Sequence, residues 1–416
     1  MDAAEKRAKF FADNPIVYNQ YLDIKEVNSV KGIDITTARL RKIKEYAIAH
    51  TDFYSGYSPD DDFPVMKKQD YINDYGRIRS NECFDLPIHI TSTSGSTGTP
   101  FKVEQDYCKR CRTIADLKVY GEYADYPSRE KMLQLRAYNG ITLDRKVDEE
   151  NNIWRYDVYN LNDGNVEELL DFIRRWRPKI IFGYTSTMET ICNYVLRNGI
   201  DCNFECGSVL VGAEMLTDEI AEKIKSVFKC PLFDRYSNME MGILAQREYG
   251  VSNFKINKAS YYFEVLKLDE DSPAEEHEVG RLVFTDLYNR AFPMIRYDTG
   301  DLGSFARNSA GEIEIETIFG RKLDCLYDSK GIMVSPHCIS HGMWGIKNIQ
   351  QWQFVQKADN EYAVRICSNG DVDEPDVLNR LYNVLGYDAN IHIEYVKEIP
   401  IAKSYKRKYI INEWKK

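Results

Sequence analysis

Thr91-Ser-Thr-Ser-Gly-Ser-Thr-Gly-Thr-Pro100 stands between an apolar run, Leu86–Ile90, and a helical pattern over Tyr107–Tyr120. Glycine lets a backbone turn tightly and approach an anion, and a row of hydroxyls and amide hydrogens can surround phosphate oxygens. A strand, a Gly-rich turn and a helix in that order are the outline of a phosphate cradle. A flexible Gly/Ser linker also fits the composition, but it does not suit a position between strand and helix. The stretch lacks the Gly-x-x-x-x-Gly-Lys-Ser/Thr of a Walker loop, which disfavours an ordinary P-loop NTPase.

Outward from this turn the chain alternates. Leu169–Trp176, Met188–Leu196 and Asp218–Phe228 read as helices, and Lys179-Ile-Ile-Phe and Gly207–Val211 as short strands. Such alternation predicts an α/β fold with sheets and helices, whose ligands gather at the carboxyl ends of the strands. On the N-terminal side, Leu40, Ile43, Tyr46 and Ala47 give Thr36–His50 helical period, and Phe63-Pro-Val-Met-Lys-Lys is turn-like.

After Phe254 the texture becomes β-rich, with Tyr261–Leu268, Arg281–Asp286 and Glu312–Phe319 enriched in β-branched and aromatic residues. A break at Gly320-Arg-Lys-Leu-Asp precedes strands at Gln351–Gln356 and Glu361–Ile366, a helix at Pro375–Leu385 and a strand at Ile391–Val396. The expected organisation is a large domain over 1–320 and a small α+β domain over 321–416.

The 416 residues carry 55 Lys and Arg against 65 Asp and Glu, a formal charge of −10, which disfavours a nucleic-acid binder held by phosphate neutralisation. No apolar run approaches the ~18 residues of a spanning helix, so membrane insertion is not expected. Met1-Asp-Ala-Ala-Glu-Lys-Arg has no apolar core of a signal, and the expected location is the cytoplasm, where the ten cysteines stay reduced. Cys108-Lys-Arg-Cys111 with Cys202 and Cys206 could be read as a zinc site, but ordinary thiols explain them more simply. His337 and His341 lack the Glu of a zinc-protease motif and read as solvated or core histidines.

Three further stretches suit the phosphate turn. Gly212-Ala213-Glu214 closes a strand, Tyr236-Ser237-Asn238-Met239-Glu240 follows another turn, and Arg296-Tyr-Asp-Thr-Gly-Asp301 follows the β-rich block. A bound nucleotide needs a flat contact for its base, a carboxylate for its ribose hydroxyls and an acid to help hold magnesium. Tyr236, Asp301 and Glu240 have those chemistries in that order.

These motifs resemble the adenylate-forming superfamily, which includes acyl- and aryl-CoA ligases. Thr93–Gly98 is similar to its phosphate-binding signature, Tyr236–Glu240 to its Tyr-Gly-x-Thr-Glu motif, and Tyr297-Asp-Thr-Gly-Asp301 to its Tyr-x-Thr-Gly-Asp motif. Gly320-Arg321 resembles the Gly-Arg before the interdomain hinge, and Ile399-Pro-Ile-Ala-Lys-Ser-Tyr-Lys406 the motif ending in the catalytic lysine. Phe63-Pro-Val-Met-Lys-Lys-Gln-Asp-Tyr and Pro178-Lys-Ile-Ile-Phe-Gly-Tyr-Thr-Ser extend the resemblance to phenylacetate-CoA ligases, and to their branch encoded with capsular polysaccharide genes. Departures are Ser237 for Gly, Met239 for Thr, Leu323 where the hinge aspartate is common, and Tyr405 for Gly, with Lys403 and Lys408 close by.

The resemblance implies a ligase that makes an acyl-AMP from a small carboxylic acid and Mg-ATP, with release of pyrophosphate. The acyl group then passes to a thiol, CoA or a carrier protein, or to an amine, in surface polysaccharide or secondary metabolite assembly. It implies that Thr93, Ser94, Gly95, Ser96, Thr97 and Gly98 hold the phosphates, Glu240 and Thr97 the magnesium ion, and Lys406 the charge near the α-phosphate. Gly212, Ala213, Glu214, Tyr236, Ser237, Asn238 and Met239 then border the nucleotide, with Asp301 and Arg321 at the ribose. Tyr138, Phe182, Gly183 and Tyr184, near the expected sheet mouth, are the candidates for the acid. The alternative is a degenerate nucleotide-binding scaffold of the same fold.

Overall fold

Thr217 and Lys229 delimit the helix Asp218–Phe228. The Thr217 side chain accepts from the Ile220 amide, and the chain leaves through Lys229 in the left-handed region at φ +51°. Its buried residues Ile220, Ala221, Ile224, Val227 and Phe228 recur at helical spacing, so the helix lays one apolar stripe on a sheet. The same logic recurs throughout the computed structural model, which describes residues 1–29, 34–82, 84, 87–92, 101–136, 138, 143–158, 161, 163–321, 326–331, 333–334, 336–343, 345–399 and 408–414. The described chain divides into two compact units.

The first unit comprises Met1–Met132, Lys146–Ile153 and Phe233–Ile318. Its sheet runs antiparallel through Tyr261–Leu266, Gly280–Asp286 and Tyr297–Arg307, with Phe263 opposite Phe284 and Phe284 opposite Tyr297. Beyond these lie Ile313–Arg321, Phe254–Ile256, Gly242–Glu248 and Leu232–Asn238, the last two joined with a bulge at Tyr236/Ser237. The core packs Tyr54, Phe63, Tyr71, Phe101, Phe292 and Tyr297 together. The helix Tyr107–Glu122, capped by the Asp106 carboxylate, packs Cys111, Ala115 and Val119 against Val17, Tyr21 and Ile24 of the helix Pro15–Ser29.

The second unit comprises Leu133–Arg145, Trp154–Leu232 and Phe319–Lys416. Ile180–Tyr184 and Ser208–Gly212 pair in parallel, Tyr184 opposite Gly212, and Met132–Arg136 lies on the other side of Ile180–Tyr184. A separate four-stranded sheet has the order Asn390–Tyr395, Glu361–Ser368, Ile349–Ala358, Ile410–Asn412, with the helix Glu374–Leu385 beside Pro336–Met343.

The expected mixed α/β architecture is what the chain adopts; the helix expected at Leu169–Trp176 starts six residues earlier, at Asp163, and every helix and strand expected from Lys179 onward is present within three residues of its expected ends. Three local readings change. Tyr236–Asn238 belongs to the end of a strand rather than following a turn, Tyr297–Asp301 opens a strand, and the strand expected at Leu86–Ile90 runs His89–Ser92. Ala3–Asp13, Pro15–Ser29, Met132–Arg136 and Gly242–Glu248 were not expected. Among the described residues no helix is long and apolar enough to cross a membrane, and no group of three or more His, Cys, Asp or Glu is placed to hold a metal ion. Cys108 and Cys111 both lie on the helix Tyr107–Glu122, the first exposed and the second buried, and the side chains of His337 and His341 lie outside the described set.

Candidate active site

In the first unit, two residues singled out from motifs far apart in sequence meet. Tyr236 ends the last regular pairing before the bulge, and the single proton of its hydroxyl is shared between Asp301 Oδ2 at 2.7 Å and, more weakly, Thr299 Oγ1 at 3.2 Å. Thr299 Oγ1 in turn accepts from the Asp301 amide at 3.2 Å and donates to the Leu282 carbonyl at 2.9 Å. Burial first, and then the Asp301 carboxylate, hold the Tyr236 phenol well above its usual range, so it stays a neutral donor. The chain reaches this arrangement through Gly300 at φ +77°, a conformation that glycine adopts without strain, and the Gly300 amide donates to Asp298 Oδ1.

Glu240 sits in the turn between Leu232–Asn238 and Gly242–Glu248, buried, with one oxygen accepting from the Tyr297 hydroxyl at 3.3 Å. The turn is tied at both ends. Asn238 Oδ1 accepts from the Met241 amide at 2.8 Å, and the Tyr261 hydroxyl donates to the Met241 carbonyl while accepting from Lys109 Nζ at 3.1 Å. Gly242 is at φ +116°, and a Cβ there would meet Tyr261 Oη at 3.2 Å. Met239 points outward and is 58% exposed, so the residue that replaces the motif's threonine makes no part of this framework. Carboxylate oxygens are the hard donors a magnesium ion takes, and Glu240 supplies one such group on a fixed turn, which fits that ion.

In the second unit Gly212 ends its strand and Ala213 stands at φ +68°, an uncommon conformation for alanine. The chain is held there by Glu214, whose two carboxylate oxygens accept from the Ser186 amide at 2.7 Å and the Ser186 hydroxyl at 3.0 Å. Glu214 therefore caps the helix Thr185–Arg197 from outside it, where a negative charge meets the positive end of the helix dipole.

Phe182, Gly183 and Tyr184 follow one another along the adjacent strand, Gly183 buried against Leu135 and the two rings half-buried on the opposite face. Tyr138 joins that half-buried side through its hydroxyl, which donates to Gln134 Oε1 at 3.0 Å. Burial raises the Tyr184 phenol above its usual value, with Arg136 opposing and Glu214 adding to the rise. Residues that the sequence reading does not single out are Thr299, Ser186 and Arg136. Thr299 lies inside a quoted motif, and Arg136 ends a strand whose residues alternate between buried and half-buried. Thr93, Ser94, Gly95, Ser96, Thr97, Gly98 and Lys406 lie outside the described residues, as does the Arg321 side chain.

Residues 326–413 match a family described as the CapK C-terminal domain. Protein CapK of Staphylococcus aureus is 22% identical to this chain, over 98% of this chain and 96% of its own length. The phenylacetate-coenzyme A ligase of Escherichia coli (strain K12) is 24% identical over 77% of this chain and 78% of that protein. The chain is homologous to CapK and to phenylacetate-CoA ligases.

Solved structures agree on the fold. A 2-hydroxyisobutyryl-CoA ligase in the postadenylation state, in complex with 2-HIB-AMP, superposes with a TM-score of 0.71 at 17% identity, covering 89% of this chain and 87% of that one. The amide bond synthetase McbA from Marinactinospora thermotolerans gives 0.54 at 15% identity, over 76% of this chain and 67% of that one. The fold is that of the adenylate-forming CoA ligases, with a CapK domain at the C-terminal end.

Proposed function

We propose that this protein activates a carboxylic acid with Mg-ATP. A carboxylate oxygen attacks the α-phosphorus, the new O–P bond forms as the bond to pyrophosphate breaks, and an acyl-AMP results. The acyl group then leaves AMP for a thiol, that of CoA or a carrier protein, or for an amine. The observation that carries this reading is the Tyr236–Asp301 hydrogen bond, which joins a candidate base contact and a candidate ribose contact within a fold shared with adenylate-forming ligases.

Attacking acid and triphosphate repel one another, so the protein's task is alignment and charge stabilisation. In this reading Thr93 to Gly98 hold the phosphates, and Asp301 and Arg321 take the ribose hydroxyls. Ala213 and Tyr236 flank the base, and Glu214 fixes the Ala213 turn through Ser186. Glu240 and Thr97 hold the magnesium ion, which when bound neutralises phosphate charge. Lys406, carried by a small domain over 321–416, donates at the α-phosphate; Tyr138, Phe182, Gly183 and Tyr184 border the acid.

A CoA ligase and an amide bond synthetase stand among the neighbours of the same fold, which supports either acceptor. We place the reaction in surface polysaccharide assembly in the cytoplasm on the resemblance of the sequence to the capsular branch, and the similarity to CapK supports that branch.

The test is acid-dependent pyrophosphate release across aryl, fatty, amino and sugar acids, wild type beside Lys406→Ala. Loss of one preorganised charge-stabilising donor is expected to slow release by roughly 10²–10³. An unimpaired rate in that variant removes Lys406 from the mechanism. ATP binding with no release for any acid would leave a nucleotide-binding scaffold.

A further inference from the structure

The strand Met132–Arg136 alternates cleanly, with Leu133 and Leu135 buried and Gln134 and Arg136 half-buried on the other face. Its neighbour Ile180–Tyr184 alternates in step from Ile181 onward. Gly183 packs on Leu135, so that a Cβ there would come within 3.2 Å of the Leu135 Cβ, while Phe182 and Tyr184 share the half-buried face. That face is the candidate acid site, and Arg136 places a positive charge on it. The Arg136 guanidinium lies over the Phe182 ring, 4.8 Å from its centroid, and acts electrostatically on Tyr184.

Among the described residues no carboxylate is bonded to this guanidinium. Two acids of the neighbouring framework bond to other groups: both Glu214 oxygens accept from Ser186, and Asp157 Oδ1 accepts from the Tyr138 amide at 3.1 Å. A guanidinium over an aromatic ring is attracted to the ring face and weakly hydrated, and its planar N–H fork matches a planar anion bidentately. A monoanionic aryl or fatty acid would not use that fork. The carboxylate that reacts needs its lone pairs for phosphorus, so a bidentate arginine suits a different group.

We propose that Arg136 is a specificity-determining residue that grips a second anionic group on the acid, and that the substrate class is a dicarboxylic acid. One carboxylate pairs with Arg136 while the other reacts; the ring of Phe182 orients the guanidinium, and Gln134, which accepts from Tyr138, borders it. The inference rests on the adenylating reading above.

The experiment compares matched acids that differ by one charge, succinate with its monomethyl ester and terephthalate with its monomethyl ester. Pyrophosphate release and direct binding by calorimetry are both read, for wild type, Arg136→Ala and Arg136→Lys. The wild type should favour the dianion of a pair by roughly 10–100-fold in kcat/KM, about what a hydrogen bond to a charged group contributes. Arg136→Ala should collapse that ratio towards one, with the loss falling on KM and the melting temperature kept, and Arg136→Lys should recover part of it. A wild-type preference for the monoanions, or a ratio that survives Arg136→Ala, overturns the proposal. If no acid elicits pyrophosphate, the adenylating reading fails separately, and calorimetry decides. Dicarboxylate binding lost in Arg136→Ala upholds the role of the arginine, and absence of dicarboxylate binding to the wild type overturns it. Should the alanine variant fail to fold, the lysine variant carries the comparison.

Discussion

The hydroxyl of Tyr409 donates to the carboxylate of Glu189 across 220 positions of sequence, and both side chains are buried. Tyr409 immediately precedes the strand Ile410–Asn412, which pairs in parallel with Phe354–Gln356, and its ring lies 5.5 Å from that of Trp352. Glu189 stands on the helix Thr185–Arg197, three positions after the Ser186 that holds Glu214, and its Oε1 is 3.9 Å from Lys223 Nζ. One helix thus anchors both the Ala213 turn and the C-terminal strand.

Tyr409→Phe keeps the ring and removes the donor from a buried carboxylate. The expected loss is about 1–3 kcal/mol of stability, read as a lower denaturant midpoint, together with faster amide exchange over residues 408–414. Unchanged midpoint and exchange would mean that the bond does not fasten the strand.

Lys109 and Asp286 form an ion pair at 2.7 Å with both side chains fully buried, a charge contact rather than an aligned hydrogen bond. Asp286 Oδ1 is also held by the Tyr288 and Asn289 amides, and Lys109 extends the network to Tyr261 and hence to the Glu240 turn. Removing one partner strands a buried charge. Lys109→Met is expected to destabilise by about 3–5 kcal/mol, and the double variant with Asp286→Asn should recover part of that loss. A double variant no better than the single one would contradict the pairing.

Asp234 gives a pH signature. It is buried opposite Arg247, 3.2 Å from its guanidinium, and burial outweighs that partner and pushes the carboxyl up from 3.8 to about 6. The folded state therefore binds the proton more tightly than the unfolded chain. The resulting contribution, about 3 kcal/mol, is fully present below pH ~4 and lost as pH rises through ~6. Asp234→Asn should flatten this part of the stability profile, measured as urea midpoints between pH 4 and 7. Parallel profiles for variant and wild type would rule the assignment out.

What the sequence discloses depends on how local the cause is. The bounds of Asp218–Phe228 are legible because the cap at Thr217 and the apolar stripe are both contained in the segment. The helix Pro15–Ser29 is not, although Val17, Tyr21, Ile24 and Val27 are spaced for one face. Val, Tyr and Ile lean towards strand by propensity, and what settles them is packing against Cys111, Ala115 and Val119. The site follows the same rule. Tyr236, Glu240 and Asp301 are readable as residue types, but the bond between Tyr236 and Asp301 depends on long-range strand register. Glu214 reads as a nucleotide contact, and its bonds to Ser186 at a helix end depend on a segment 28 positions away; Arg136 acquires meaning only when Phe182 is brought beneath it.

Asp301 and Tyr236 separate ligand binding from folding. Asp301→Ala removes the carboxylate but leaves the Tyr236 hydroxyl a partner in Thr299, 3.2 Å away, so the local strand should stay formed. If Asp301 takes the ribose hydroxyls, its loss should weaken binding of a non-hydrolysable Mg-ATP analogue by on the order of 10-fold or more, as expected for hydrogen bonds to a charged group. Tyr236→Phe keeps the carboxylate and the flat ring and removes only the hydroxyl that orients Asp301, whose amide remains held by Thr299. A smaller loss, a few-fold, follows. Calorimetry with the analogue, alongside melting temperatures, decides: equal affinity in Asp301→Ala and wild type would take the ribose away from Asp301. A Tyr236→Phe loss as large as that of Asp301→Ala would make the tyrosine hydroxyl itself a nucleotide contact.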